Sequence, residues 1–415
     1  MPRFDQLALH APVSYSLRLR HEAERDNPST LRLCLWQGCV SSAPSYLACY
    51  SLHGDKDFVI LYFLYLPLVM TRRRLQARDY TVGWICALPI ELAAAQEMLD
   101  EEDECPSQCS SDSDLYTLGR IGDHNVVLAC LPAGQMGPQS AATVATRMTS
   151  RFTSIRFGLM VGIGGGVPSV TADIRLGDVV ISQPYLQHGG VVQYDFGKTG
   201  AGGRQTRTGW LNAPPSMLLR AISELQALHY RGRSSLATHI SVFDRLENFS
   251  RKTTGPDVLF EASYNHTGGA TCEQCSKEKE VKRTPRKSQV VIHYGTIASG
   301  NQVIKDGIAR DRISTELGGV VCFEMEAAGL MNDFPCLVVR GICDYADSHK
   351  NKKWQPYAAA TAAACAKEIL SIIPAVIDEA GHGQSKEIYC EHSCCLHLRH
   401  TTFLICREMV LARAC

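Results

Sequence analysis

Residues 320–347, VVCFEMEAAGLMNDFPCLVVRGICDYAD, constrain this chain more than any other stretch, because they set two acidic clusters at opposite ends of one apolar segment. Carboxylates beside apolar runs are costly and need a reason. Residues 336–342 form a short, unbroken, Val-rich run after Pro335, which reads as a strand buried on both faces of a parallel sheet. Asp344 falls just past its carboxyl end. Open α/β sheets bind ligands there, so Asp344 and Asp347 stand where a substrate would lie. Upstream, residues 320–323 read as another short strand running into an Ala-rich helix, with Glu324 and Glu326 at the junction. Two residues apart in extended chain, these glutamates face one side.

The rest of the composition narrows the class. With 42 basic and 42 acidic residues in 415, the chain has no global field for nucleic acid or a membrane surface, and any anionic ligand must be held locally. The 18 cysteines are scattered, several inside apolar runs, which fits a reducing, intracellular (cytoplasmic) setting. The longest apolar run, residues 58–70, falls short of the roughly 20 residues a membrane helix needs. Residues 1–78 show no consistent period and read as a disordered or poorly packed extension. Residues 375–415 form a Cys-rich tail, where Cys390, Cys394, Cys395 and Cys406 lie among His392, His397 and His400. That tail reads as disorder or non-coding read-through, with metal binding as the alternative.

From residue 79 the texture changes. Strand-like residues 80–88 lead through Pro89-Ile90-Glu91 into a helix, and residues 115–131 read as a hairpin turning at 122–125. A helix over 138–152 precedes a buried strand over 155–161, which ends in Gly162-Ile163-Gly164-Gly165-Gly166. Strands at 178–182 and 191–194, a helix at 215–229, a polar insert over about 231–287, a strand over 290–299 and helices at 302–317 and 356–373 complete the pattern. Strands alternating with helices over some 300 residues indicate one α/β domain, residues 79–374, with a mostly parallel sheet.

Several residues in this frame are candidates for chemistry. Glu91 follows a strand directly and stands in the first turn of a helix, where an acid also complements the helix dipole. The glycine cluster lets backbone N–H groups approach an anion or a sugar closely. It is not a dinucleotide fingerprint, because the third glycine of that motif falls on Val167. Asp178 and Asp195 read first as solvated strand-end carboxylates and second as site residues. Cys272 and Cys275 form one CxxC with His266 nearby, but a structural zinc needs four ligands and a second well-spaced pair is missing, so no metal is assigned. Asn301 can cap the helix that follows it.

Six motifs occur in order: VGWICALPIE (82–91), VGIGGGVP (161–168), GDVVIS (177–182), ASGNQVI (298–304), FEMEAAG (323–329) and RGICDYADSHKNKKWQPYAAATAAA (340–364). Together they resemble the purine and uridine phosphorylase superfamily, in the branch with methylthioadenosine/S-adenosylhomocysteine nucleosidases and AMP nucleosidases. They are most similar to the fungal version found in front of NACHT, ankyrin or tetratricopeptide modules. The resemblance implies a single three-layer α/β/α domain with a mixed, mostly parallel sheet. By position it assigns Glu326 to the ribose hydroxyls, Met325 to packing on the sugar, Asp344 to the purine N7, and Glu91 to activation of an attacking water. Gly164 and Gly165 would border nucleophile and ribose. Val303 lines the base pocket where the family has an aromatic residue, and Asn301 stands where it has an acid.

The implied activity is cleavage of an N-glycosidic bond of a purine nucleoside or nucleotide. Phosphate as nucleophile would need clustered arginines, and none lies between Glu91 and Arg120. Water is therefore the expected nucleophile and a phosphorylase the alternative. Lys198, Arg204, Arg207, Arg251 and Lys252 are candidates for a nucleotide's 5′-phosphate. A catalytically quiet nucleoside-binding effector is the reading from another class. The resemblance implies no cofactor, a homo-oligomer, and a receptor or signalling partner supplied in trans.

Overall fold

The computed structural model describes residues 72–104, 115–201, 205–269 and 271–375. It also describes the backbone of Leu19–Arg20, Arg32–Val40 and Ala43–Ser51, which pair as a separate antiparallel sheet. The apolar run 58–70 and the Cys/His tail lie outside the described residues.

The domain is built on β1 (Val82–Cys86), β2 (Tyr116–Ile121), β3 (His124–Cys130), β4 (Phe157–Gly166), β5 (Val179–Ser182), β6 (Val191–Gln193), β7 (Ile292–Gly295), β8 (Ile297–Ser299), β9 (Cys322–Glu324) and β10 (Cys336–Asp344). Along one path the order is β6-β8-β9-β4-β1-β3-β2. On the other edge of β4, β10 pairs parallel, and β5 and β7 continue from it. The sheet is thus mixed but mostly parallel, as the alternation of elements predicts. β10 is buried along its length from Cys336 to Cys343, which is why its sequence shows no period of two.

Helices cover both faces. α1 (Pro89–Glu97), α3 (Ser216–Tyr230), α4 (Leu236–Ser241) and the Ala-rich α6 (Gln355–Ile372) share one core with Trp84, Leu159 and Val339. α2 (Pro138–Arg151) packs on the opposite face around Ile85, Met160 and Val338. α5 (Gly307–Glu316) runs into a smaller cluster with Val167 and Phe323. Among the described residues no helix is long and apolar enough to cross a membrane.

Four local expectations differ from the structure. The strand expected over 290–299 is two strands, β7 and β8, divided at Thr296. β7 pairs with β5, and β8 with β6 and β9, so this half of the sheet curls back toward β4. The helix expected after Phe323 is only a turn of 3-10 helix, Ala327–Gly329. There the Glu324 carboxylate accepts from the N–H groups of Glu326 and Ala327, offering the backbone an alternative to α-helix. α5 begins at Gly307 and not at 302, and Asp306, not Asn301, caps it, accepting from Ile308 and Ala309 N–H. The glycines 162–166 lie inside β4 and do not form a loop after it.

Candidate active site

β4 outruns its neighbour β1, and the site is built around that mismatch. The β1 ladder on β4 ends at the pair Ile85 and Met160, and β9 takes over on the same edge only at Gly165 and Gly166. Glu91, in the first turn of α1, fills the interval: its Oε1 accepts from Ile163 N–H at 2.8 Å. Its Oε2 accepts from Ala87 and Leu88 N–H at 2.7 and 2.9 Å, tying the β1–α1 corner together. The carboxyl is buried, and burial pushes its pKa up; Arg340 and the three N–H donors only partly offset this.

Arg340, a charged residue inside the apolar run of β10, is 1% exposed and stands behind the carboxylates. It pairs tightly with Glu324, and its Nη2 lies 3.3 Å from Glu326 Oε2. Burial works against its charge, but Glu324, Glu326 and Glu91 outweigh that cost and hold its pKa above the ordinary value. A Cβ on Gly162 would stand 2.5 Å from Glu91 Oε1 and 2.6 Å from Arg340 Nη1, so this position admits no side chain without displacing one of them. Glu326 also accepts from Gly137 N–H, at the entry to α2, at 3.3 Å. Burial, with Glu324 and Glu91 close by, raises its pKa to about 7 against the pull of Arg340.

Asp344 closes β10, which runs two residues beyond the 336–342 that the sequence suggests, with only a small part of its carboxylate exposed. Lys350 Nζ lies 2.5 Å from its Oδ1, which also accepts from Ala346 N–H at 2.8 Å. A Cβ on Gly165 would come within 2.8 Å of that same oxygen. The turn that follows holds Ala346 at φ 51°, a left-handed conformation that a residue with a side chain adopts at a cost. It is strapped from outside: Arg310 donates to Tyr345 O at 2.8 Å, and the Tyr345 hydroxyl meets Asp257, which pairs with Arg283 at 2.7 Å.

These groups face one open cleft with a cavity volume of about 160 Å³. Glu91, Gly164, Gly165, Val303, Met325, Glu326 and Asp344 all line it, together with Glu324, Lys350 and Phe323. Val303 is half exposed at the rim. Among the described residues Phe323 is the sole aromatic ring in the lining, held edge-on against Tyr194 with centroids 5.5 Å apart.

Other candidates lie elsewhere. Asp178 is fully buried and not solvated: it pairs with Arg286, meets His293 at 2.9 Å, and accepts from Arg175 and Val291 N–H. Asp195 accepts from Asn301 N–H at 2.6 Å and acts as a loop staple. Lys198, Arg207, Arg251 and Lys252 do not line the cleft, and Arg251 instead lies over the Trp354 ring at 4.3 Å. Arg204 is outside the described residues. Sequence reasoning missed Arg340, Phe323 and Lys350 as site residues. For Arg340 a signal existed, since a charge inside a buried strand must have partners.

A family model described as "Phosphorylase superfamily" matches residues 81–377. The chain is 49% identical over 306 residues to a nucleotide-binding leucine-rich repeat (NLR)-like protein of Hyaloscypha variabilis, a match covering 73% of this chain and 30% of that protein. It is 28% identical over 300 residues to a 5′-methylthioadenosine/S-adenosylhomocysteine nucleosidase of Mycobacterium bovis, covering 71% of this chain and 97% of that one. To the ATP nucleosidase Cap17 of Escherichia coli it is 24% identical over 286 residues, covering 67% and 48%. The chain therefore spans less than half the length of the Hyaloscypha and Escherichia relatives and nearly all of the Mycobacterium one.

Proposed function

The chain belongs to the phosphorylase superfamily, and from that premise we propose that it is a purine nucleosidase, which cleaves the N-glycosidic bond with water. The charge inventory of the cleft carries this reading. Among the described residues, four carboxylates, Glu91, Glu324, Glu326 and Asp344, line it against one cation, Lys350, already paired to Asp344, and the single guanidinium of Arg340 behind them is taken up by Glu324 and Glu326. A phosphate nucleophile would meet repulsion there, whereas a water beside a carboxylate of raised pKa meets a base.

In this mechanism Glu326 accepts the ribose hydroxyls and Met325 packs on the sugar. Glu91 takes a proton from the water that attacks the anomeric carbon. The C–N bond breaks with its electron pair passing to the base, and N7 takes the proton of the Asp344 carboxylic acid, which is left as a carboxylate paired to Lys350. Positive charge growing on the sugar is favoured by the surrounding carboxylates, as in glycoside hydrolysis. Phe323 supplies the flat apolar surface for the base that Val303 does not. Gly164 and Gly165 leave room for sugar and water. The relative named a methylthioadenosine/S-adenosylhomocysteine nucleosidase, aligned over nearly its whole length, supports hydrolysis. Among the described residues no basic side chain other than Lys350 lines the cleft, which favours a nucleoside over a nucleotide.

Adenosine, methylthioadenosine, AMP and ATP, each with and without phosphate, test the reading, with chromatography following the products. The expected outcome is adenine and free sugar from a nucleoside, independent of phosphate. Asp344→Asn should lower the rate by about 10²–10⁴-fold. Ribose 1-phosphate formed only when phosphate is present would overturn hydrolysis, and adenine from none of the four would overturn the enzymatic reading. The NLR-like relative supports a second role: the chain would serve as the nucleosidase unit of a receptor assembly.

A further inference from the structure

The segment between α4 and β7 carries a group of donors outside the cleft. The backbone turns tightly at Cys272–Gln274, with Cys275 N–H donating to Cys272 O at 3.1 Å, so both thiols of the CxxC point the same way. His266 meets them: its Nδ1 lies 3.3 Å from Cys275 Sγ and 3.8 Å from Cys272 Sγ, and all three donor atoms fall within 4.8 Å of one another. In a tetrahedral zinc site, with Zn–S of about 2.3 Å and Zn–N of about 2.0–2.1 Å, ligand sulfur and nitrogen stand about 3.6 Å apart. The two observed separations bracket that value.

The surroundings match what such a site needs. His266 Nε2 lies 3.1 Å from Gly269 O, which fixes the tautomer that turns the Nδ1 lone pair toward the sulfurs. Thr267 Oγ1 donates to Cys275 Sγ at 3.7 Å, a second-layer contact typical of a bound thiolate. A further histidine stands beside them, its ring nitrogens outside the group of donor atoms that lie within 4.8 Å of one another. The His349 ring, 5% exposed, stands edge-on to His266 with centroids 5.7 Å apart, sandwiched beside Phe260 and Tyr264. Neither of its ring nitrogens makes a hydrogen bond, although Asp347 Oδ2 lies 3.5 Å from Nδ1. A buried imidazole without a hydrogen bond is costly and invites a ligand.

We propose that His266, Cys272 and Cys275 bind a zinc ion, and that the His349 ring turns toward them to serve as fourth ligand. Thiolate and imidazole donors in tetrahedral array select zinc over harder divalent ions. Binding displaces one proton from each thiol: Zn²⁺ plus two thiols gives a dithiolate complex and two protons. The ion would staple residues 266–275 to the turn after Asp344, where His266 N–H already donates to Ser348 Oγ at 2.9 Å. The second pair of ligands that the sequence lacks is thus split between His266 and a residue more than seventy positions beyond the CxxC.

The test uses the full chain, purified with reductant and dialysed after zinc loading, with metal content read by atomic spectroscopy. About one zinc per chain is expected, and cobalt exchange should give thiolate-to-cobalt charge-transfer absorption. Cys272→Ser and Cys275→Ser should each lose the metal and that absorption while far-ultraviolet circular dichroism is kept. If the serine variants fail to fold, His266→Asn, which keeps both thiols, decides: a weakened or altered cobalt spectrum supports the site and an unchanged one overturns it. His349→Ala should keep the charge-transfer band and weaken zinc binding about tenfold or more. A chain that retains no zinc or cobalt, or one that shows a Cys272–Cys275 disulfide by mass spectrometry under reductant, overturns the proposal. Unchanged zinc affinity in His349→Ala overturns the fourth ligand.

Discussion

One guanidinium cannot neutralise three carboxylates, and the protonation of the cleft follows from that shortfall. Arg340 faces Glu324, Glu326 and Glu91, and the surplus is absorbed by protons, which is why burial brings Glu326 to about 7. A carboxyl in this state is neutral below that pH and ionised above it. If the ionised form accepts the ribose hydroxyls, kcat/KM should fall as pH drops through about 7, and Glu326→Gln should remove that acid limb. A profile flat from pH 5.5 to 8.5 in the unaltered chain would contradict this assignment. The stability sign runs opposite: this group's contribution is fully present below its unfolded value of about 4.3 and is lost as pH rises through about 7. The carboxylates were legible in the sequence because each stands at a strand end beside apolar residues. Arg340 was not, since its partners come from β9 and α1, and only tertiary pairing makes a buried arginine tolerable.

Among the elements, β10 and α6 were readable because an unbroken apolar run and an Ala-rich stretch each leave little choice. The turn after Phe323 was not, because the Glu324 side chain competes for the very N–H groups a helix would use. Segment 292–299 looked like one strand because extended chain has no local mark where it passes from one neighbour to another. Asp178 was misjudged for a similar reason: its partners Arg286 and His293 lie more than a hundred residues away. Burial alone would raise its pKa, but those two groups lower it below the ordinary carboxylate value. Its stabilising contribution is therefore present above the unfolded value of about 3.9 and fades as pH falls through the lower folded one. Asp178→Ala, which strands Arg286 beside β5 and β7, should cost about 3–5 kcal/mol in urea unfolding. A loss under 1 kcal/mol would mean that the pair is solvent-screened.

For the whole molecule, the alternation of strands and helices was enough to give the three-layer plan, and the insert was the part left unread. Its polar composition hid four buried apolar anchors, Leu236, Phe243, Leu259 and Phe260, that seat it on the domain. The surface gives a further expectation. Phe196 and Trp210 are 57% and 79% exposed and line one groove with Leu211, an apolar patch of the kind that marks association. We expect a homo-oligomer in sedimentation equilibrium, shifted toward monomer by Trp210→Asp. A monomer at all concentrations in the unaltered chain would rule this out.

One last consequence belongs to β4. Glu91 docks on Ile163, and Asp344 lies in register with Gly165, so the two groups proposed to act at opposite ends of the breaking bond are indexed by two steps of one strand. Two strand steps measure about 6.6 Å. The strand is a ruler: loops around the cleft can lengthen, shorten or change sequence while the interval between water-side base and purine-side acid stays fixed.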